Sequence, residues 1–255
     1  MGAGHAHALY VHEHSRVHTL APQVKVAAAF AFVFAVAVTP REAVWAFAVD
    51  AAVLAVVVRL ARLPWRFVVV RLTVILPFIA FAFLIPFIAS GERVEVLGVS
   101  VSRVGLWGTW NIVAKAVLGA TVSIVLAATT EVPAMLKGLS RLGVPPTLTA
   151  IAAFMIRYLE LLVAELGRMR TAMTCRGYDP RWLWQTRPIA ASAGALFIRS
   201  YERGERVHAA MLSRGYTGTM PILDDRAAGV RQWLAAATVP LVAATAAVAA
   251  LTVGG

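Results

Sequence analysis

Five stretches of this 255-residue chain approach the length that a helix needs to cross a bilayer, about 20 apolar residues. They are residues 24–38, 43–58, 67–89, 104–128 and 233–253. The first is stopped by Thr39-Pro40-Arg41. The second carries Asp50 at its middle, the third contains Arg71, Pro77 and Pro86, and the fourth contains Lys115. The whole chain is 60% hydrophobic and 15% charged, against about 45–50% and about 25% in soluble domains. That balance excludes an ordinary cytosolic enzyme and a disordered tail. The single Cys175 excludes an internal disulfide. The first apolar stretch is no signal peptide, because a polar, His-bearing arm of more than twenty residues precedes it. The expected fold is an all-α, polytopic membrane helix bundle with about five transmembrane helices.

Loop charge sets the orientation. Arg59, Arg62 and Arg66 lie between spans two and three, whereas the loops before and after them balance Arg41 with Glu42, and Arg93 and Arg103 with Glu92 and Glu95. Residues 131–231 hold 14 Lys+Arg and 8 Asp+Glu, a net of +6. The positive-inside rule then places the N-terminus, the 59–66 loop and the long stretch in the cytoplasm. The formal charge of +11 is read as basic cytoplasmic loops rather than a nucleic-acid surface. Four regions follow: a cytoplasmic arm over 1–23, a four-helix membrane domain over 24–130, a cytoplasmic region over 131–231 and a last span over 232–255.

The 131–231 region is too long for a structureless loop. Leu148, Ile151, Met155, Tyr158, Leu159, Leu162 and Leu166 recur at helical spacing, with Arg157, Glu160 and Glu165 on the other face. Pro145-Pro146 starts this amphipathic helix and Gly177 stops it. A second helix is expected over 188–214, supported by Glu202 and Arg206 four apart and ended by Gly215. Trp182 and Trp184 between them suit a segment at the membrane surface. The two helices end alike. Ala172-Met173-Thr174-Cys175-Arg176-Gly177-Tyr178 aligns on Ala210-Met211-Leu212-Ser213-Arg214-Gly215-Tyr216, with five of seven positions identical at an offset of 38. Each copy puts Arg at the negative end of the helix dipole and Gly where a left-handed residue closes the helix. Two ordinary C-caps would look the same, yet two copies with matching flanks suggest two equivalent partner surfaces.

These residues carry a resemblance. Thr129-Thr130-Glu131-Val132-Pro133, Arg157-Tyr158-Leu159, Arg168-Met169 and Arg176-Gly177 resemble the transmembrane (T) component of energy-coupling factor transporters. The run from Arg199 to Val207, leading to Arg214-Gly215, resembles its cobalt-type, CbiQ-like branch. The resemblance implies long coupling helices whose Arg-Gly motifs dock on two ABC-type ATPase subunits. It also implies a separate membrane subunit that binds the substrate, cobalt or nickel, and a cell-membrane location. The family triplet is usually Ala-Arg-Gly. Here Cys175 and Ser213 hold the first position, so Arg176, Gly177, Arg214 and Gly215 are the expected docking residues and Cys175 and Ser213 support them.

No G-x-x-x-x-G-K-[ST], H-E-x-x-H or G-x-S-x-G occurs, so neither catalysis nor a cofactor is expected. His5, His7, His12, His14 and His18 crowd the arm. A His-rich tract can bind metal, but a solvated arm without a metal role is the simpler reading, and no metal site is assigned. Asp50 and Lys115 would each be costly alone in lipid. The economical expectation is a mutual ion pair; the alternative function is a self-contained secondary transporter that uses them. Arg71 is expected to snorkel, and Pro77 and Pro86 to kink the third span. The adjacent Arg176 alone gives Cys175 no redox role.

Reporter fusions at Glu42, Pro64, Glu95, Arg181 and Gly255 are expected to read outside, inside, outside, inside and outside. A periplasmic signal at Arg181 would refute the cytoplasmic placement of the 131–231 region.

Overall fold

The computed structural model describes residues 10, 11, 13, 15–90, 93–96, 99–179, 182, 186–218 and 228–253. It divides into two compact units, one formed by residues 7–142 with 226–255 and the other by 143–225. Helices α1 (Pro22–Val38), α2 (Val44–Leu60), α3 (Trp65–Leu72), α4 (Leu76–Ala82), α5 (Ile85–Ile88), α6 (Arg103–Thr129), α7 (Val132–Arg141) and α10 (Val230–Val253) belong to the first unit. Helices α8 (Pro146–Cys175) and α9 (Arg187–Leu212) form the second. Helical structure covers each of the five expected apolar stretches, with ends within three residues. Two elements were not foreseen: α7, and an antiparallel hairpin of β1 (Arg93–Val96) and β2 (Val99–Ser102) in the loop after the third span.

Among the described residues four helices are long and apolar enough to cross a membrane: Trp65–Ile88 taken as one segment, Arg103–Thr129, Pro146–Cys175 and Val230–Thr252. With 17 residues each, α1 and α2 stand at the lower limit for a span. Phe32, Val36, Phe47, Leu54, Leu118, Val122 and Ala243 form the main core where α1, α2, α6 and α10 meet. Ala243, Ala246, Ala247 and Ala250 are buried along α10. Small side chains allow the close backbone approach that holds helices together in lipid.

The third span is broken where the prolines predicted it. Pro77 cannot donate to the carbonyl of Thr73. The chain tightens to a 3₁₀ turn over Thr73–Ile75, and Leu76 N–H takes that carbonyl instead. Pro86 in turn frees the carbonyl of Ala82. Thr109 of α6 donates its hydroxyl to that oxygen at 2.7 Å. The approach is so close that a Cβ on Gly105 would lie 2.6 Å from Pro86 Cα. A neighbouring helix thus replaces the bond that proline removed. The Arg71 guanidinium lies 3.3 Å from the centroid of the Phe67 ring, one turn back toward the start of α3.

The expected Asp50–Lys115 ion pair does not form. Lys115 Nζ donates instead to the carbonyl of Ala37 at 2.8 Å, in the last turn of α1. The carbonyl of Ala35 there is taken by the Thr39 hydroxyl at 3.0 Å. Lys25 does the converse, donating from the first turn of α1 to the carbonyl of Thr129 at 2.7 Å, where α6 ends. Val11 N–H takes the neighbouring Ala128 carbonyl at 3.0 Å. The two helices are therefore antiparallel, and a lysine of each closes the C-terminal carbonyls of the other. A lysine suits that place because its charge also meets the negative end of the dipole. Asp50 is fully buried, and neither carboxylate oxygen has a hydrogen-bond partner among the described residues.

Lys25→Met and Lys115→Met keep an apolar stem but strand a carbonyl. Each is expected to lower stability by about 1–3 kcal/mol, more for the buried Lys25 bond, in thermal unfolding of detergent-purified protein. Asp50→Asn keeps the shape and removes the charge problem, and its melting temperature should match or exceed that of the natural chain.

Candidate functional site

The candidate site lies wholly in the second unit. Pro146 opens α8 at a position where a missing N–H costs nothing. No Gly or Pro capable of breaking it intervenes before Gly177; Gly167 alone sits within its 30 residues. Glu165 of α8 ties the helices together. It is salt-bridged to Arg168 on its own helix and to Arg199 of α9 at 2.6 Å. Ser192 Oγ meets Met173 Sδ at 3.4 Å, and Phe154 shares a cavity with Met211. These pairings run in opposite chain directions, so α8 and α9 are antiparallel. Arg206 and Glu202 form the expected pair at 3.8 Å.

Both helices close with the same hydrogen bonds. Tyr178 N–H reaches Met173 O at 3.1 Å and Gly177 N–H reaches Thr174 O at 2.9 Å. Tyr216 N–H reaches Met211 O and Gly215 N–H reaches Leu212 O, both at 3.0 Å. Gly177 has φ +79° and Gly215 φ +82°. This is the Schellman pattern, in which a left-handed glycine lets two amides turn back onto the last carbonyls. It explains most of the echo. Glycine supplies the positive φ, and Met and Tyr stand at the two positions whose apolar contact accompanies the motif. The exposure pattern repeats too, with Met and Tyr half-buried and the four residues between them exposed in both copies.

The cap leaves Arg unexplained. Any residue serves at its position, yet Arg176 and Arg214 both stand there, exposed and without an ion pair among the described residues. Cys175 and Ser213 precede them, exposed as well. The structure does not bring the two arginines together. Phe154 is level with Met211, near the end of α9, whereas Arg176 follows the far end of α8. Twenty-two residues at 1.5 Å per residue separate those levels by about 30 Å. The site is two equal prongs at opposite ends of one helix pair.

Of the apolar stripe read from the sequence only Tyr158 and Leu162 face α9, beside Phe154 and Glu165, which were not read with them. Leu148, Ile151, Met155, Leu159 and Leu166 remain exposed, as do Phe197, Ile198 and Tyr201 of α9. Spacings of four between residues 154, 158 and 162 were a second, unread signal. Among the described residues no three His, Cys, Asp or Glu side chains converge to hold a metal. His5, His7, His12 and His14 lie outside the described residues, as does Trp184; Trp182 is exposed. His18 has both ring nitrogens occupied, Nδ1 by Ser15 Oγ at 2.7 Å and Nε2 by Val11 O at 3.1 Å. Burial holds its imidazole below the usual value, in keeping with a neutral ring that binds the arm.

Residues 13–222 match the family described as CbiQ, cobalt transport protein, and the chain belongs to that family. The chain is similar to the cobalt transport protein CbiQ of Rhodobacter capsulatus, with 35% identity over 104 residues, 40% of this chain and 42% of that one. An uncharacterised protein of Methanocaldococcus jannaschii is 27% identical over 168 residues, 62% of this chain and 58% of that one. A putative fused cobalt transport protein CbiMQ of Methanocorpusculum labreanum is 26% identical over 100 residues, 39% of this chain and 17% of that one. The matched segments thus span 42% and 58% of the first two relatives.

Gly177→Ala and Gly215→Ala force a side chain into the left-handed region, at a cost of about 1–2 kcal/mol. Amide hydrogen exchange over residues 173–178 or 211–216 is expected to accelerate several-fold. Arg176→Glu and Arg214→Glu should leave the opposite helix end unchanged and alter their own only slightly.

Proposed function

We propose that the chain is the transmembrane coupling component of an ATP-driven importer of cobalt or nickel ion, docked on two ABC-type ATPase subunits through Arg176 and Arg214. The observation that carries the reading is the pair of identical caps, each presenting an exposed Arg, about 30 Å apart on one helix pair. Family membership supports the transport role and the cargo. Two such ends suit two equal partners better than one. Arg offers each a permanently charged planar fork for carboxylates.

In this reading α8 and α9 form the cytoplasmic coupling region, although α8 is long and apolar enough to span. The net +6 of residues 131–231 favours the cytoplasm. So does the run of Glu165, Arg168 and Arg170, which would be costly inside lipid. The exposed apolar stripe of α8 then rests on the membrane surface or on a neighbouring subunit. The Glu165–Arg199 bridge couples the helices, so that a push on one end tilts the pair. ATP hydrolysis belongs to the docked subunits, and a separate membrane subunit binds the ion. A self-contained transporter using Asp50 and Lys115 finds no support, since Lys115 is committed to the end of α1.

The test is the double variant Arg176→Glu, Arg214→Glu. Truncating one side of a buried charge pair costs about 2–5 kcal/mol, and reversal should cost no less. The variant is expected to accumulate in membranes but lose the copurifying ATPases and metal uptake. Each single variant should be impaired yet keep one tether. Lys at either position should rescue in part, keeping charge without the two-point fork. Full ATPase association and uptake in the double Glu variant would reduce the motif to helix capping.

A further inference from the structure

In the first unit a cleft of about 390 Å³ opens between α1, α2, α6 and α10. Its walls are apolar, with Phe32, Leu54 and Val122 at its deep end. Arg16 and Lys25 line the other end, near Thr129, and no acidic residue lines it among the described residues. Seven residues of α1 from Lys25 to Phe32 give a depth of about 10 Å, against about 15 Å for one leaflet of the hydrocarbon core. The Lys25 ammonium donates to Thr129 O at 2.7 Å and His18 O at 3.3 Å, which leaves the third of its N–H bonds. The Arg16 side chain is exposed and makes no hydrogen bond or ion pair among the described residues.

An occupant must therefore be amphiphilic, slender, and anionic at one end only. We propose that this cleft binds an anionic phospholipid, with an acyl chain between the four helices and the headgroup phosphate at Arg16 and Lys25. Two cations around one phosphate give affinity for the headgroup, and basic pockets between membrane helices characteristically hold such lipids. The apolar walls exclude a free anion as the intended ligand, and two cations without an acid would leave an apolar partner helix with nothing to pair them. The inference is independent of the docking role of α8 and α9. Placement in the inner leaflet follows from the positive-inside orientation.

The test uses the full-length chain, purified from its own membranes in mild detergent. Native mass spectrometry follows retention of added phosphatidylglycerol, phosphatidylcholine with the same acyl chains, or inorganic phosphate. The expected result is retention of phosphatidylglycerol over phosphatidylcholine on the order of tenfold, weakened by salt, with no displacement by phosphate. Arg16→Glu should abolish the preference. Ala235→Trp, which puts bulk on an exposed residue of the wall, should lower phosphatidylglycerol retention to that of phosphatidylcholine. Circular dichroism and melting temperature confirm that both variants keep the fold. Equal retention of the two lipids, preference surviving in either variant, or displacement by inorganic phosphate would each overturn the proposal.

Discussion

A bilayer interior has no water to rescue an unpaired backbone carbonyl, and this constraint organises the first unit. A helix there must close its last carbonyls, either by a turn of its own chain, as α2 does through Arg62 and Leu63, or with a donor from another segment. α1 and α6 solve the problem for each other, through Lys115 at Ala37 and Lys25 at Thr129. The arm joins in, since Val11 N–H covers Ala128 and His18 is held between Val11 and Ser15. The third span obeys the same rule at its break, where Thr109 covers Ala82. Core packing of Phe32, Phe47 and Leu118 then adds tightness to a frame that polar bonds have already set in register.

Seen this way, the cost of a lysine in lipid is offset by what it closes. The sequence shows Lys115 only as a cation in an apolar run, and the nearest available acid, Asp50, invites a pair. Carbonyl acceptors carry no side-chain signature, so no pattern in the sequence marks Ala37 or Thr129 as partners. Asp50 stays buried with no hydrogen bond to its carboxylate among the described residues, so the pair that the sequence invites is not what places either charge.

The apolar helices, by contrast, were legible to within three residues, because length and apolar content are local properties. The breaks at Pro77 and Pro86 were legible too, since proline acts on its own turn of helix. What escaped was short or non-local. α7 is ten residues long, and the β1–β2 hairpin has only four residues in each strand. The Glu165–Arg199 bridge joins residues 34 apart, and only the antiparallel path of α8 and α9 brings them together. In the candidate site the caps could be read from Arg-Gly alone. The separation of the two prongs could not, because it depends on the helix pairing.

A third helix end shows why glycine recurs at the prongs. α2 closes with the same hydrogen bonds, Leu63 N–H to Val58 O at 3.2 Å and Arg62 N–H to Arg59 O at 3.0 Å. Its left-handed residue is Arg62, at φ 56°. A side chain there is strained by about 1–2 kcal/mol, and burial of Val58 and Leu63 in one apolar cluster offsets it. The ends of α8 and α9 have no such support, for no residue of either helix is buried. An end without buried support must hold its own shape, and a left-handed Gly does so without strain. The Arg before it has no part in the hydrogen bonds of the cap beyond its own backbone. An exposed charge at the tip of a long helix suits the docking role proposed for it.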